Sequence, residues 1–227
     1  MTEEGFGDVG IERHKGFVFT GLKLHKLKVR PMFLSANTEG VPAVEDIGRI
    51  DTCLCQRYKL VGEPVLAVGP KDAECVFIGR DPFERECEEG IPFCLDSPGG
   101  KMLGYYLEML GLGRGDCYIT NTLFCRAPNN VAPQPDELFG CARIHAVEFK
   151  KLTNVKYIFT LGSNAFQLMT GLFGSVKSFV GKYYFKVDIF EREGVCIIPL
   201  HHPGSLLENE SMLEKTTEIL KKLTGLD

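Results

Sequence analysis

The stretch Cys75-Val76-Phe77-Ile78-Gly79-Arg80-Asp81-Pro82-Phe83 runs from apolar, β-prone residues straight into a glycine, a charged pair and a proline. An apolar run bounded by turn formers reads as a buried strand, and Arg80-Asp81-Pro82-Phe83 reads as the loop at its carboxyl end. The pattern recurs: β-rich runs at 65–69, 74–79, 116–121, 155–161 and 195–200 alternate with helical segments. That alternation predicts an α/β fold with a mainly parallel sheet. Ser97-Pro98 opens one helix, with Leu103, Tyr106, Leu107 and Leu110 spaced along one face. A second is expected from about Asp136 to Leu152, a short one over 163–171 after Gly162, and a last over about 209–223.

The chain has 227 residues, 44% apolar, 25% charged and 10% aromatic, as one globular domain requires. A formal charge of −4 excludes a polycationic wrapper of nucleic acid but leaves room for a local basic groove. No stretch reaches the roughly 18 to 20 apolar residues of a membrane span. Met1-Thr2-Glu3-Glu4 is acidic where a secretory signal would be basic. A cytoplasmic or nucleoid-associated monomer with no membrane partner is therefore expected. Residues 1–50 form an N-terminal extension before a domain spanning 51–227. Within the extension, Leu22 to Val29 alternates apolar and basic residues as an edge strand or hairpin does.

Nine cysteines are many for a reducing compartment, where disulfides rarely persist. Cys75, Cys117 and Cys196 lie in β-prone runs and read as small buried hydrophobes. Cys87 and Cys94 sit in a charged, Gly/Pro-broken loop and stay open to either reading. Cys53, Cys55, Cys125 and Cys141 remain as the set that calls for another use.

Ligands of open α/β sheets bind outside the carboxyl ends of the strands. After the strand at 74–79 come Gly79-Arg80-Asp81-Pro82-Phe83 and then an acidic loop to Gly90-Ile91-Pro92-Phe93. Thr120-Asn121-Thr122 ends the next strand, and His201-His202-Pro203-Gly204-Ser205-Leu206-Leu207 comes after the last. Singly, Asp before Pro is a turn former, Asn is a cap and His-Pro marks a loop. Together, after successive strands, they place an acid, an amide, an aromatic ring and a histidine at one sheet edge.

These residues resemble the uracil-DNA glycosylase superfamily. Gly79-Arg80-Asp81-Pro82-Phe83 is similar to the family 1 water-activating motif G-Q-D-P-Y, and His202-Pro203-Gly204-Ser205-Leu206 to its H-P-S-P-L loop. Gly90-Ile91-Pro92-Phe93, Tyr118-Ile119-Thr120-Asn121, Cys125-Arg126-Ala127-Pro128, Cys141 and Leu161-Gly162 resemble, in order, the iron-sulfur branch, family 4. The resemblance covers about residues 50 to 223. It implies a three-layer α/β/α sandwich with a central, mainly parallel four-stranded sheet. Cys125 and Cys141 keep the 16-position separation of the family 4 cluster ligands, whereas Cys53-Leu54-Cys55 is one residue short of that branch's C-x-x-C pair. Four thiolates from two distant segments suit a 4Fe–4S cluster and equally a tetrahedral zinc.

The family 4 acid falls at Arg80, and Asp81 instead occupies the place of the family 1 aspartate. By resemblance, Asp81 stabilises the sugar cation and orients water, and His202 donates to uracil O2. Phe93 stacks on the base, Asn121 reads its edge, Phe83 crowds a 5-substituent, and Gly79 and Arg80 border the substrate. Leu206 fills the vacated stack, while Ser163, Ser205 and Arg126 hold phosphates. His145 and His201 match no motif position and read as structural. The function implied is hydrolysis of the N-glycosidic bond of uracil flipped out of DNA, in base excision repair. The alternative is a non-excising DNA-binding or replication-associated module. A hydrolase of free nucleosides is disfavoured by the Leu206 loop.

Overall fold

The structure, a computed structural model, describes residues 23–26, 63–127, 129, 131–186, 194–207 and 209–224. Strands β1 (Lys23–Lys26), β2 (Cys75–Gly79), β3 (Cys117–Asn121), β4 (Tyr157–Leu161), β5 (Lys182–Lys186) and β6 (Val195–Leu200) form one sheet in the order β1-β5-β6-β4-β2-β3. Strands β3, β2, β4 and β6, with β3 at the sheet edge, run parallel to one another. Every residue of these four is buried. A sheet covered on both faces demands such unbroken apolar runs.

Those four strands are the ones expected, and the sheet is wider than the four-stranded expectation. β5 pairs antiparallel with β6, and β1 adds parallel to β5. Lys182-Tyr183-Tyr184-Phe185-Lys186 is short and comes after a glycine-broken loop, which hid its β character. The alternating segment near residue 24 does form an edge strand, and the second arm of the expected hairpin lies outside the described residues. The run at 65–69 is not a strand; Val68 makes only an isolated antiparallel bridge with Ile119.

Helices α1 (Glu84–Glu89), α2 (Pro98–Met109), α3 (Pro135–Lys150), α4 (Ser163–Thr170), α5 (Pro203–Leu206) and α6 (Glu210–Thr224) join the strands, with short 3-10 turns at Arg114–Asp116 and Val176–Ser178. Alternation along the strands sends Phe77, Ile119, Phe159 and Ile198 to one face, against Leu103, Tyr106 and Leu107 of α2 and Ile219, Leu220 and Leu223 of α6. Val76, Ile78, Ile158 and Ile197 take the other face, against Ala142, Ala146 and Phe149 of α3 and Phe166 and Met169 of α4. The result is the three-layer α/β/α sandwich. Each such Leu, Ile or Phe contributes about 1.5–3 kcal/mol by leaving water. Ser97 caps α2, accepting from the Gly100 N–H at 2.9 Å. Among the described residues no helix is long and apolar enough to cross a membrane.

Parallel pairing brings the strand ends together: Gly79 pairs with Asn121, and Leu161 with Leu200. The loops leaving these ends all open on one edge of the sheet.

Candidate active site

A cavity of about 590 Å³ occupies that edge, walled by residues just past β2, β4 and β6 and by the start of α2. Thr122 ties the loops after β2 and β3 together, its N–H and hydroxyl both donating to the Gly79 carbonyl at 2.9 and 2.7 Å. A Cβ on Gly79 would stand 2.3 Å from Asn121 Oδ1 and 2.4 Å from Phe93 Cζ. Only glycine fits there, so the amide, the aromatic ring and the β2 end meet at one point. Phe93 is held at φ 50°, a left-handed conformation uncommon for a bulky residue. Arg114 donates to the Pro92 carbonyl immediately before it.

Asp81 is on the cavity wall with its carboxylate shielded from bulk water. One oxygen accepts from Arg80 Nε and the other from the Ala127 N–H at 3.3 Å. Asn121 is not itself on the wall but lies beside Gly79, 1% exposed, with neither Oδ1 nor Nδ2 hydrogen-bonded among the described residues. A buried, unpaired amide is costly.

Glu86 on α1 matches no motif and is, with Glu84, a reserve carboxylate to Asp81 by sequence; it lines the cavity and is 4% exposed. Burial pushes its carboxyl up to about 7, against the pull of the Phe93 and Phe83 N–H groups. The nearby Asn121 amide also favours the charged form, although neither of its polar atoms completes a hydrogen bond. Folding thus favours the protonated acid. That stabilisation is whole below the ordinary value of 4.5 and is lost as pH rises through about 7. Glu86→Gln, neutral throughout, should therefore gain on the wild type with rising pH, by at most about 3 kcal/mol between pH 5 and pH 8. Thermal melts at the two pH values check this; a difference independent of pH would contradict it.

His202 caps α5, its Nδ1 accepting from the Gly204 N–H at 3.2 Å. The ring proton of neutral imidazole therefore sits on Nε2, leaving a donor free for a ligand. Burial, reinforced by the Arg80 charge, pushes His202 down to about 4. Gly162, at φ 97°, would bring a Cβ within 3.3 Å of His202 Cβ, so the β4 end presses against the loop that carries His202. His201 points away: it is buried, with Nδ1 2.9 Å from Thr216 Oγ1.

Ser163 and Ser205 line the cavity with Ser175 and Lys177, two residues no motif pointed to. Ser163 Oγ accepts from the Val176 N–H at 2.9 Å and so holds their loop in place. Phe83 lines the wall but is 47% exposed. Arg126 stands over it at 5.9 Å and pairs with Glu84 at 3.1 Å, outside the cavity wall. Leu206 is not placed to enter a base stack: it is 2% exposed and packed in the core. Leu207, one position on, is 51% exposed and lines the cavity. One helical step turns a side chain by about 100°, and that step exchanges core for groove.

Cys125 and Cys141 are buried, and Cys141 packs with Leu123, Phe124, Leu138 and Ile144. Cys53 and Cys55 lie outside the described residues, and among the described residues no three metal-ligating side chains cluster.

Comparison with known proteins fits this geometry. Residues 66–224 match the family model of the uracil DNA glycosylase superfamily. The chain is 34% identical to the type-4 uracil-DNA glycosylase of Archaeoglobus fulgidus, over 81% of this chain and 93% of the relative. It is 32% identical to that of Sulfurisphaera tokodaii, over 76% and 78%. The corresponding figures for Thermotoga maritima are 31%, 70% and 83%.

Proposed function

Because the chain belongs to the uracil-DNA glycosylase superfamily, we propose that it flips uracil out of DNA and hydrolyses its N-glycosidic bond. The observation that carries this reading is the pairing on one cavity wall of a carboxylate, Asp81, with a histidine whose geometry leaves the proton on Nε2. Chemistry on a stacked base requires extrusion into a pocket. Phe93 stacks on the flipped ring, a contact worth about 1–3 kcal/mol. Asn121 pairs with its edge, and Phe83 stands toward a 5-substituent.

As the C1′–N1 bond breaks, its electron pair passes to uracil and the sugar becomes oxocarbenium-like. His202 Nε2–H donates to uracil O2 as charge develops there. Asp81 faces the sugar cation and orients the water that adds to C1′; the proton of that water leaves to the carboxylate or solvent. Arg80 holds Asp81 and keeps His202 neutral. Ser163, Ser205, Ser175 and Lys177 provide hydroxyls and a cation for phosphates, Arg126 extends that surface, and Leu207 takes the stacking role expected of Leu206.

Alkali treatment after incubation with uracil-containing single- and double-stranded oligonucleotides tests the reading. Cleavage at the uracil position is expected. The Arg80–Asp81 ion pair favours the rival, a non-excising DNA-binding module, because it partly neutralises the acid; binding without cleavage would establish that rival.

Cys125 and Cys141, with Cys53 and Cys55, are the residues that would hold a 4Fe–4S cluster, with zinc as the alternative. Both thiols are buried, Cys141 among apolar side chains, and thiolates fit such a group. Such a group cross-links the loop after β3 to α3. The purified protein should be brown, absorbing at roughly 400 nm with about four iron atoms per chain. Stoichiometric zinc without colour would assign zinc, and neither metal would refute the ligand set.

A further inference from the structure

His145 on α3 has no place on the cavity wall, yet it is fully buried with both ring nitrogens engaged. Nε2 faces the carbonyl oxygens of Asn121 at 3.0 Å and Thr122 at 3.1 Å, so it carries a proton and donates to both. Nδ1 meets Glu148 Oε2 at 2.8 Å, and Glu148 Oε1 accepts from the Tyr118 hydroxyl at 2.6 Å. Phe124 and Phe149 stack against the imidazole at 4.7 and 5.1 Å.

Consecutive carbonyls of an extended strand point to opposite sides. Two of them on one nitrogen mean that the chain turns out of the ladder between Asn121 and Thr122, where β3 ends. The network is closed: it leaves β3 at Tyr118, crosses α3 through Glu148 and His145, and returns to β3 at Asn121. Packing alone would be served by leucine or phenylalanine at position 145, whereas buried polar groups are worth keeping only when fully satisfied. Here the two ring nitrogens and both carboxylate oxygens all have partners. Asn121, by contrast, has no hydrogen bond on its own amide among the described residues. Where that amide can stand therefore depends on its backbone, and His145 holds the turn of that backbone together with the Thr122 bonds to Gly79.

We propose that His145, braced by Glu148 and Tyr118, is a positioning residue for base recognition, fixing the strand end that presents Asn121 to the flipped base. This rests on Asn121 reading the base.

The test is a double-mutant cycle on the full chain. The pair His145→Phe with Glu148→Leu replaces the network by apolar groups without leaving a buried charge alone. It should melt cooperatively and bind undamaged duplex as the wild type does. Its maximal single-turnover rate on uracil should fall about tenfold or more at unchanged half-saturating DNA. In an Asn121→Ala background the same pair should lower the rate less than about twofold, because the group being positioned is gone. Equal losses in both backgrounds, or none where Asn121 is intact, would overturn the proposal. If the pair does not fold, Tyr118→Phe, which removes one hydroxyl, decides by the same comparison with a smaller loss. Were Asn121→Ala itself to excise at the wild-type rate, the base-reading role would fall first and the positioning role with it.

Discussion

His202→Ala should lower the single-turnover rate of uracil excision by about a hundredfold or more while leaving DNA binding intact, because its donation strengthens only as the leaving group gains charge. Asp81→Asn should do likewise. It preserves shape but replaces the charge that faces the sugar cation, and it removes the anion that holds Arg80. Asp81→Asn at the wild-type rate would show that another carboxylate acts, and Glu86 on the same wall is the one to test. The pH profile carries an independent mark. His202 is held down at about 4, so it stays neutral as pH falls through the ordinary histidine value of 6.5. Activity that depends on a neutral His202 should show no step at 6.5 from this group and should fall only as pH approaches 4. A step at 6.5 that disappears in His202→Ala would contradict the neutral donor.

Asn121→Asp should change which base is excised. Uracil offers an acceptor at O4 and a donor at N3, which one amide satisfies with its NH2 and carbonyl. Cytosine offers a donor at N4 and an acceptor at N3, which the same amide meets only after flipping. Among the described residues no hydrogen bond fixes the Asn121 amide. Its orientation depends instead on the close approach of Oδ1 to Gly79 and on the Glu86 carboxyl nearby. A bidentate pair discriminates by about 1–3 kcal/mol, and unpaired buried groups add to the penalty. Aspartate replaces the NH2 donor by an acceptor, so uracil excision should fall strongly and cytosine gain relative to it. Single-turnover cleavage of U:G and C:G duplexes by both proteins measures this. An unchanged ratio would make Asn121 a strand-end residue only.

The sheet and its functional edge were legible because parallel strands are apolar throughout and end in residues that pack poorly: Gly79-Arg80-Asp81, Asn121 and His202 all stand at or just past the ends of such runs. The features that escaped depended on tertiary placement. Glu86 sits in an acidic loop where sequence does not tell it from Glu84, and only the fold brings it beside Phe93. Leu206 and Leu207 are chemically identical, and the phase of a one-turn helix decides which is buried. Lys177 lies in no motif and reaches the cavity because Ser163 holds its loop. His145 was legible as buried, while its partners at Asn121 and Thr122 lie more than 20 positions away in sequence.

The most direct measurement is to incubate the protein with a uracil-containing oligonucleotide in oxygen-18 water and analyse base and strand by mass spectrometry. Hydrolysis at the Asp81–His202 site predicts free uracil and an intact abasic strand carrying one heavy oxygen at C1′, both lost in Asp81→Asn. Uracil retained in the strand or on the protein, or release undiminished in Asp81→Asn, would contradict it.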